Sequence, residues 1–82
     1  MIKYFLIFEL RSKNNYDCLL EELKKFNAIS VFKSTWCLTF CDDKTEDLRD
    51  HFKKHIDRSD GIIVIKSSFW AGAKLNQNPN DL

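Results

Sequence analysis

The chain has 82 residues, the length of one small domain, and a net charge of +1. That near-neutral balance excludes a protein that attracts nucleic acid through its whole surface and leaves local basic patches for the task. Three cysteines, an odd number with no C-x-x-C, argue against a disulfide framework and against a zinc site of the usual spacing.

A domain this short buries a modest fraction of its unfolded surface, so oligomerisation is the expected source of further burial. The apolar runs are broken within ten residues, too short for a transmembrane helix. The N-terminus has no small-residue cleavage site, and the expectation is a cytoplasmic protein with no membrane partner.

Ile2–Leu10 is a nearly continuous apolar run carrying one carboxylate, Glu9, close to its end. A strand apolar on both sides must be covered on both sides, which predicts a central strand. The polar connection Arg11–Asn15 leads to Tyr16, Leu19, Leu20, Leu23 and Phe26 at helical spacing, with Glu21, Glu22, Lys24 and Lys25 on the other face. Glu21 precedes Lys25 by four, a pairing that suits a solvent-facing side. Asn27 tolerates the left-handed conformation and is the predicted stop.

Ile29–Phe32 and Thr35–Cys41 are β-prone, and the two residues Lys33-Ser34 between them predict a tight hairpin. In the second of these strands Trp36, Leu38 and Phe40 share one face, suited to a core under helices. Cys37 and Cys41 lie four apart, roughly 13 Å along a strand, too far for a disulfide. All three cysteines are expected as buried, reduced thiols. After the turn Asp42-Asp43-Lys44, Thr45 is the expected cap of a second helix, with Glu46 and Asp47 in its first turn. Leu48, Phe52, His55 and Ile56 form its inward stripe. Gly61–Lys66 is an apolar strand, Phe69-Trp70-Ala71 is sticky, and the segment from Asn76 reads as frayed. The domain is expected over residues 1–73, with 74–82 a flexible tail.

The order β-α-β-β-α-β is the ferredoxin-like α+β arrangement. Right-handed crossovers place both helices on one face of an antiparallel sheet of order 4-1-3-2. The other face is too apolar for open water, so a second subunit or the folded-back Phe69-Trp70 segment is expected to cover it, with a homodimer preferred.

Several short stretches resemble a known group. A first strand ending in an acidic residue, then a helix, then Phe32-Lys33-Ser34-Thr35-Trp36, is similar to the small CRISPR-associated adaptation proteins of endoribonuclease type. With the lead containing Asp57 and Asp60 and the ending Trp70-Ala71-Gly72, the chain resembles the SinR-like proteins related to them more closely still. The resemblance spans roughly residues 1 to 73. It implies a dimeric ferredoxin-like protein that binds nucleic acid or nucleotides, or cleaves nucleic acid with Mg²⁺ or Mn²⁺; some related small proteins, such as virulence-associated toxin D, resemble ribonuclease toxins. It further implies metal binding and catalysis at Glu9, where relatives usually carry aspartate, with Ser34 fitting the family's pattern.

In the predicted sheet, Glu9, Arg11, Ser34, Thr35 and Asp60 gather at one edge. A Glu9 from each subunit of a dimer would hold a metal ion that positions a water against a phosphodiester. The plainer reading has Glu9 paired with Arg11 or a lysine. Arg11 and Lys13, beside Glu9, are the candidates for phosphate contact. Trp36 reads as core, while Trp70 is open to dimer packing or to stacking on a ligand. Asp47, His51 and His55 follow one helical flank, and a His pair at that spacing chelates metals, yet no third ligand is evident. Two functions stand: a metal-dependent nuclease, and a non-catalytic module that sequesters a nucleotide or blocks a partner protein in a phage-defence or toxin–antitoxin setting.

Overall fold

The first strand, β1 (Ile2–Glu9), runs through the middle of a four-stranded antiparallel sheet in the computed structural model, which describes residues 1–12 and 15–82. In chain order follow α1 (Asp17–Lys25), β2 (Ile29–Phe32), β3 (Thr35–Phe40), α2 (Thr45–Lys53), β4 (Gly61–Ser67) and a 3₁₀ turn at Pro79–Asp81. The strand order is β2-β3-β1-β4, which read from the β4 edge is 4-1-3-2. Among the described residues no helix is long and apolar enough to cross a membrane.

The period-two alternation of β1 sorts its side chains. Tyr4, Leu6 and Phe8 are buried and join Leu19 and Leu23 of α1, Leu38 of β3, and Leu48 and Phe52 of α2 in one cluster. Both helices therefore cover the same face of the sheet. Trp36 and Phe40 pack against that cluster, on the face the sequence indicates for them.

Two helix ends are built differently from one another. At the end of α1, Asn27 takes φ 55°, and its N–H and that of Ala28 donate to the carbonyls of Lys24 (2.9 Å) and Leu23 (3.0 Å). This is a Schellman closure with Asn27 in the left-handed position, as its small polar side chain predicts. The start of α2 departs from expectation. Thr45 is the first helical residue rather than the cap, and no side chain caps the helix locally. The Tyr4 hydroxyl does that work from β1: it accepts from the Lys44 N–H (2.9 Å) and donates to the Asp42 carbonyl (2.9 Å).

The β2–β3 connection is the two-residue turn Lys33-Ser34, and neither residue has positive φ. The primed turns that match strand twist need positive φ, so this hairpin uses an unprimed turn. The register breaks next to it, between Ser30 and Phe32, where the mismatch in twist is absorbed by a bulge.

The second face of the sheet is covered by the chain's own C-terminal segment, in part. Trp70 lies edge-on against Phe5 with ring centroids 6.3 Å apart. Pro79 is buried, and the Asn76 N–H donates to the Val31 carbonyl at the bulged strand (2.9 Å). Residues 74–82, which composition suggests as a flexible tail, are thus tied to the β2 edge.

Three smaller expectations need correction. Leu20 is 41% exposed, because it sits at the rim of the stripe made by Leu19 and Leu23. The ion pair on α1 joins Lys25 to Glu22 (3.2 Å), three residues apart, in place of the Glu21–Lys25 pairing. Cys18 and Cys41 are exposed; only Cys37 is buried, where loss of solvation pushes its thiol up to about 11 against a small opposing effect of Lys3.

Tyr4→Phe removes the hydroxyl that joins β1 to the start of α2 and leaves the Lys44 N–H and the Asp42 carbonyl without it. The expected loss is about 1–3 kcal/mol, read as a lower urea midpoint with an unchanged m-value. A midpoint equal to wild type would mean that water replaces the hydroxyl at no cost.

Candidate functional site

The end of β1 meets two loops. Glu9 stands opposite Gly61 at the start of β4, and the Phe8 N–H donates to the Ser34 carbonyl (2.9 Å). Glu9, Arg11, Ser34 and Asp60 therefore come to one edge, as the strand order requires. What they do there differs residue by residue.

Asp60 ties the edge together. Its Oδ1 accepts from the N–H groups of Arg11 (2.6 Å) and Ser12 (3.1 Å). Its Oδ2 accepts from the Tyr16 hydroxyl (2.8 Å) and the Asp57 N–H (2.8 Å). One carboxylate thereby joins the β1–α1 loop, the lead into α1 and the α2–β4 loop. Partial burial works to raise its pKa, but the hydrogen bonds from Arg11, Tyr16, Asp57 and Ser12 outweigh it and hold the carboxyl below its ordinary value. The Tyr16 hydroxyl is pushed the other way, by loss of solvation and by the neighbouring Asp60 charge, and so remains a donor.

Glu9 is the most open member, with 74% of its side chain exposed. The Arg11 guanidinium donates to its Oε2 (3.0 Å) and to the Ser59 carbonyl (2.9 Å). Glu9 is thus paired with Arg11, the plainer of the two sequence readings. Magnesium asks for several oxygen ligands in near-ideal geometry. Here Glu9 is open but already faces a cation, while both oxygens of Asp60 are committed. Ser34 is placed here through its backbone carbonyl. Lys13 lies outside the described residues. Trp70 is engaged with Phe5, whereas its neighbour Phe69 is 96% exposed.

A second constellation lies at the seam between the helices. His51 Nε2 is 2.6 Å from Glu22 Oε1, and His55 Nε2 is 3.9 Å from Glu22 Oε2. Glu22 is only 13% exposed. The His51 ring packs edge-on against both Phe26 and Phe52, with centroids 5.2 Å away in each case, and the two phenylalanine rings also touch each other. The hydrogen bond from His51, aided by Lys25 and opposed by partial burial, lowers the pKa of Glu22. Asp47, which the helical spacing groups with the histidines, pairs instead with Lys44 (3.7 Å). The third group near the His pair comes from α1. Its only trace in the sequence is a carboxylate on the polar flank of a helix destined to lie beside α2.

The third feature is the sheet's outer face. A groove of about 390 Å³ runs between sheet and tail, lined by Phe5, Ile7, Val31, Ile65, Trp70 and Leu75 among others. Ile65 in its lining remains 45% exposed, and Ile63, also on β4, 58%.

Because the folded pKa of Asp60 is depressed, its stabilisation is complete above the ordinary carboxylate range and is lost as pH falls through that range, about 3.9, toward the folded value. Asp60→Asn is expected to lower the urea midpoint at pH 7 and to reduce the fall in midpoint on acidification. Parallel acid limbs in the two proteins would assign the acid sensitivity to other carboxylates. No protein-family model matches the chain.

Proposed function

We propose that this chain is a ferredoxin-like, non-catalytic binding module of the SinR-like kind. It acts as a homodimer and takes a nucleotide or a nucleic-acid strand along the edge that carries Arg11. The observation that carries the reading is the outer face of the central strand pair. Ile7, Ile63 and Ile65 form an apolar surface there that the tail leaves open, with Phe69 wholly exposed at its margin. Surfaces of this kind on a small domain are sites of association. An exposed aromatic ring beside such a face also suits stacking on a base.

The non-catalytic version is preferred over a metal-dependent nuclease on the chemistry of Glu9. Its partner Arg11 supplies the positive charge that a metal ion would bring. An arginine at a loop edge presents donors in a planar fork suited to phosphate oxygens, and a phosphate competes directly with Glu9 for them.

Sedimentation velocity at micromolar concentration is expected to give a dimer, and Ile63→Asp a folded monomer, since the buried charge would lack a partner. A monomeric wild type removes the proposal. Single-stranded oligonucleotides or nucleotides are expected to raise the melting temperature of the wild type and to do so less in Arg11→Ala. Mg²⁺-dependent cleavage that is present in the wild type and lost in Glu9→Gln would replace the binding module with the nuclease.

A further inference from the structure

Two imidazoles and a carboxylate converge on one point at the α1–α2 seam, outside the edge and the face described above. Glu22, His51 and His55 each offer one ligand atom, and those atoms all lie within 4.8 Å of one another. We propose that these three side chains form a binding site for a divalent transition-metal ion of the zinc class.

The geometry is close to what such an ion demands. Zinc sits about 2.0–2.1 Å from each histidine nitrogen or carboxylate oxygen, so ligand atoms in a tetrahedron lie about 3.3 Å apart. His51 Nε2 and Glu22 Oε1 are nearer than this at 2.6 Å, as a hydrogen bond requires, and His55 Nε2 is slightly farther from Oε2 at 3.9 Å. An ion that replaces the shared proton spreads the first pair and draws in the second. Each of these two distances changes by less than about 1 Å to reach the tetrahedral spacing.

The supports are already built. His51 packs edge-on against two phenylalanine rings, and the turn after α2 is closed by the His55 N–H donating to the Phe52 carbonyl (2.9 Å). Glu22 is held on α1 by Leu19 and Leu23, which anchor that helix in the core. The donor set selects the metal. Imidazole nitrogens suit zinc, copper, nickel and iron, whereas magnesium and calcium prefer all-oxygen shells. Three protein ligands leave a fourth position for water. Among the described residues the competing cation is Lys25, whose ammonium lies 3.2 Å from Glu22 Oε2 on a side chain 71% exposed, and it moves away at little cost.

The test is calorimetric titration of the whole chain with zinc chloride, followed by long-range ¹H–¹⁵N spectra of the imidazoles. One ion per chain is expected, with the Nε2 resonances of His51 and His55 both moved. His55→Gln and Glu22→Gln are expected to weaken binding by about tenfold or more, at least the effect of losing an outer-shell partner. His51 is left in place because its ring is part of the aromatic packing. A Cys18→Ser/Cys41→Ser double variant is expected to bind as tightly as wild type, and Lys25→Ala at least as tightly. Absence of saturable binding overturns the site. So do unmoved imidazole resonances in the wild type, a reading that holds even if a ligand variant fails to fold. Loss of binding in the double serine variant would assign the zinc to the exposed thiols and overturn the proposal too, and displacement of zinc by excess Mg²⁺ would overturn the metal class.

Discussion

The strand in the middle of this sheet has no polar face, and the rest of the molecule is arranged to cover it. Tyr4, Leu6 and Phe8 are sealed by the two helices. Full burial of side chains of this size is worth about 1.5–3 kcal/mol each. Net stability for a domain is only about 0.05–0.15 kcal/mol per residue, so three such residues weigh as much as a large part of the total. The opposite side chains, Phe5 and Ile7, receive a thinner cover from Trp70 and the tail. The imbalance between the two faces leaves β4 with open isoleucines, the surface on which the proposed dimer rests.

Two polar side chains, Tyr4 and Asp60, join segments that are distant in sequence. The Tyr4 hydroxyl binds the loop before α2 to β1, and Asp60 binds the β1–α1 connection to the α2–β4 connection. Both work because backbone N–H groups at loop and helix ends lack a regular partner and must find one. Glu9 and Arg11 differ in kind. Their pairing is open to solvent, where an ion pair contributes little to stability, so those two side chains remain free to exchange partners with a ligand. Under the proposed function, chemistry at that edge is a matter of what competes for Arg11. Under the proposed metal site, chemistry at the helix seam is a matter of what replaces a proton between Glu22 and His51.

Much of this architecture was legible in one dimension. Alternation in Ile2–Glu9, the stripes of Leu19–Leu23 and Leu48–Phe52, and the permissive Asn27 mark the elements, and the rule of right-handed crossovers then orders the strands. The gathering of Glu9, Arg11 and Asp60 at one edge follows from that order. Asp60 was recognisable as an edge residue but not as its centre, because nothing local says that four donors from three segments converge on one carboxylate. The start of α2 is not supported by the expected cap at Thr45 for a similar reason: local rules look for a nearby side chain, and the one that acts lies forty residues away on β1.

The amino-acid sequence by itself determined which segments are strands and helices and that β1 is central, because periodicity and burial are properties of neighbours along the chain. Only the tertiary structure decided that Glu22 belongs with His51 and His55, that Trp70 turns inward while Phe69 stays out, and that Cys37 alone of the three thiols is buried. Each of these depends on how two elements far apart in sequence are set against each other in space. That placement is fixed by the shape of the whole core and by no single stretch of residues.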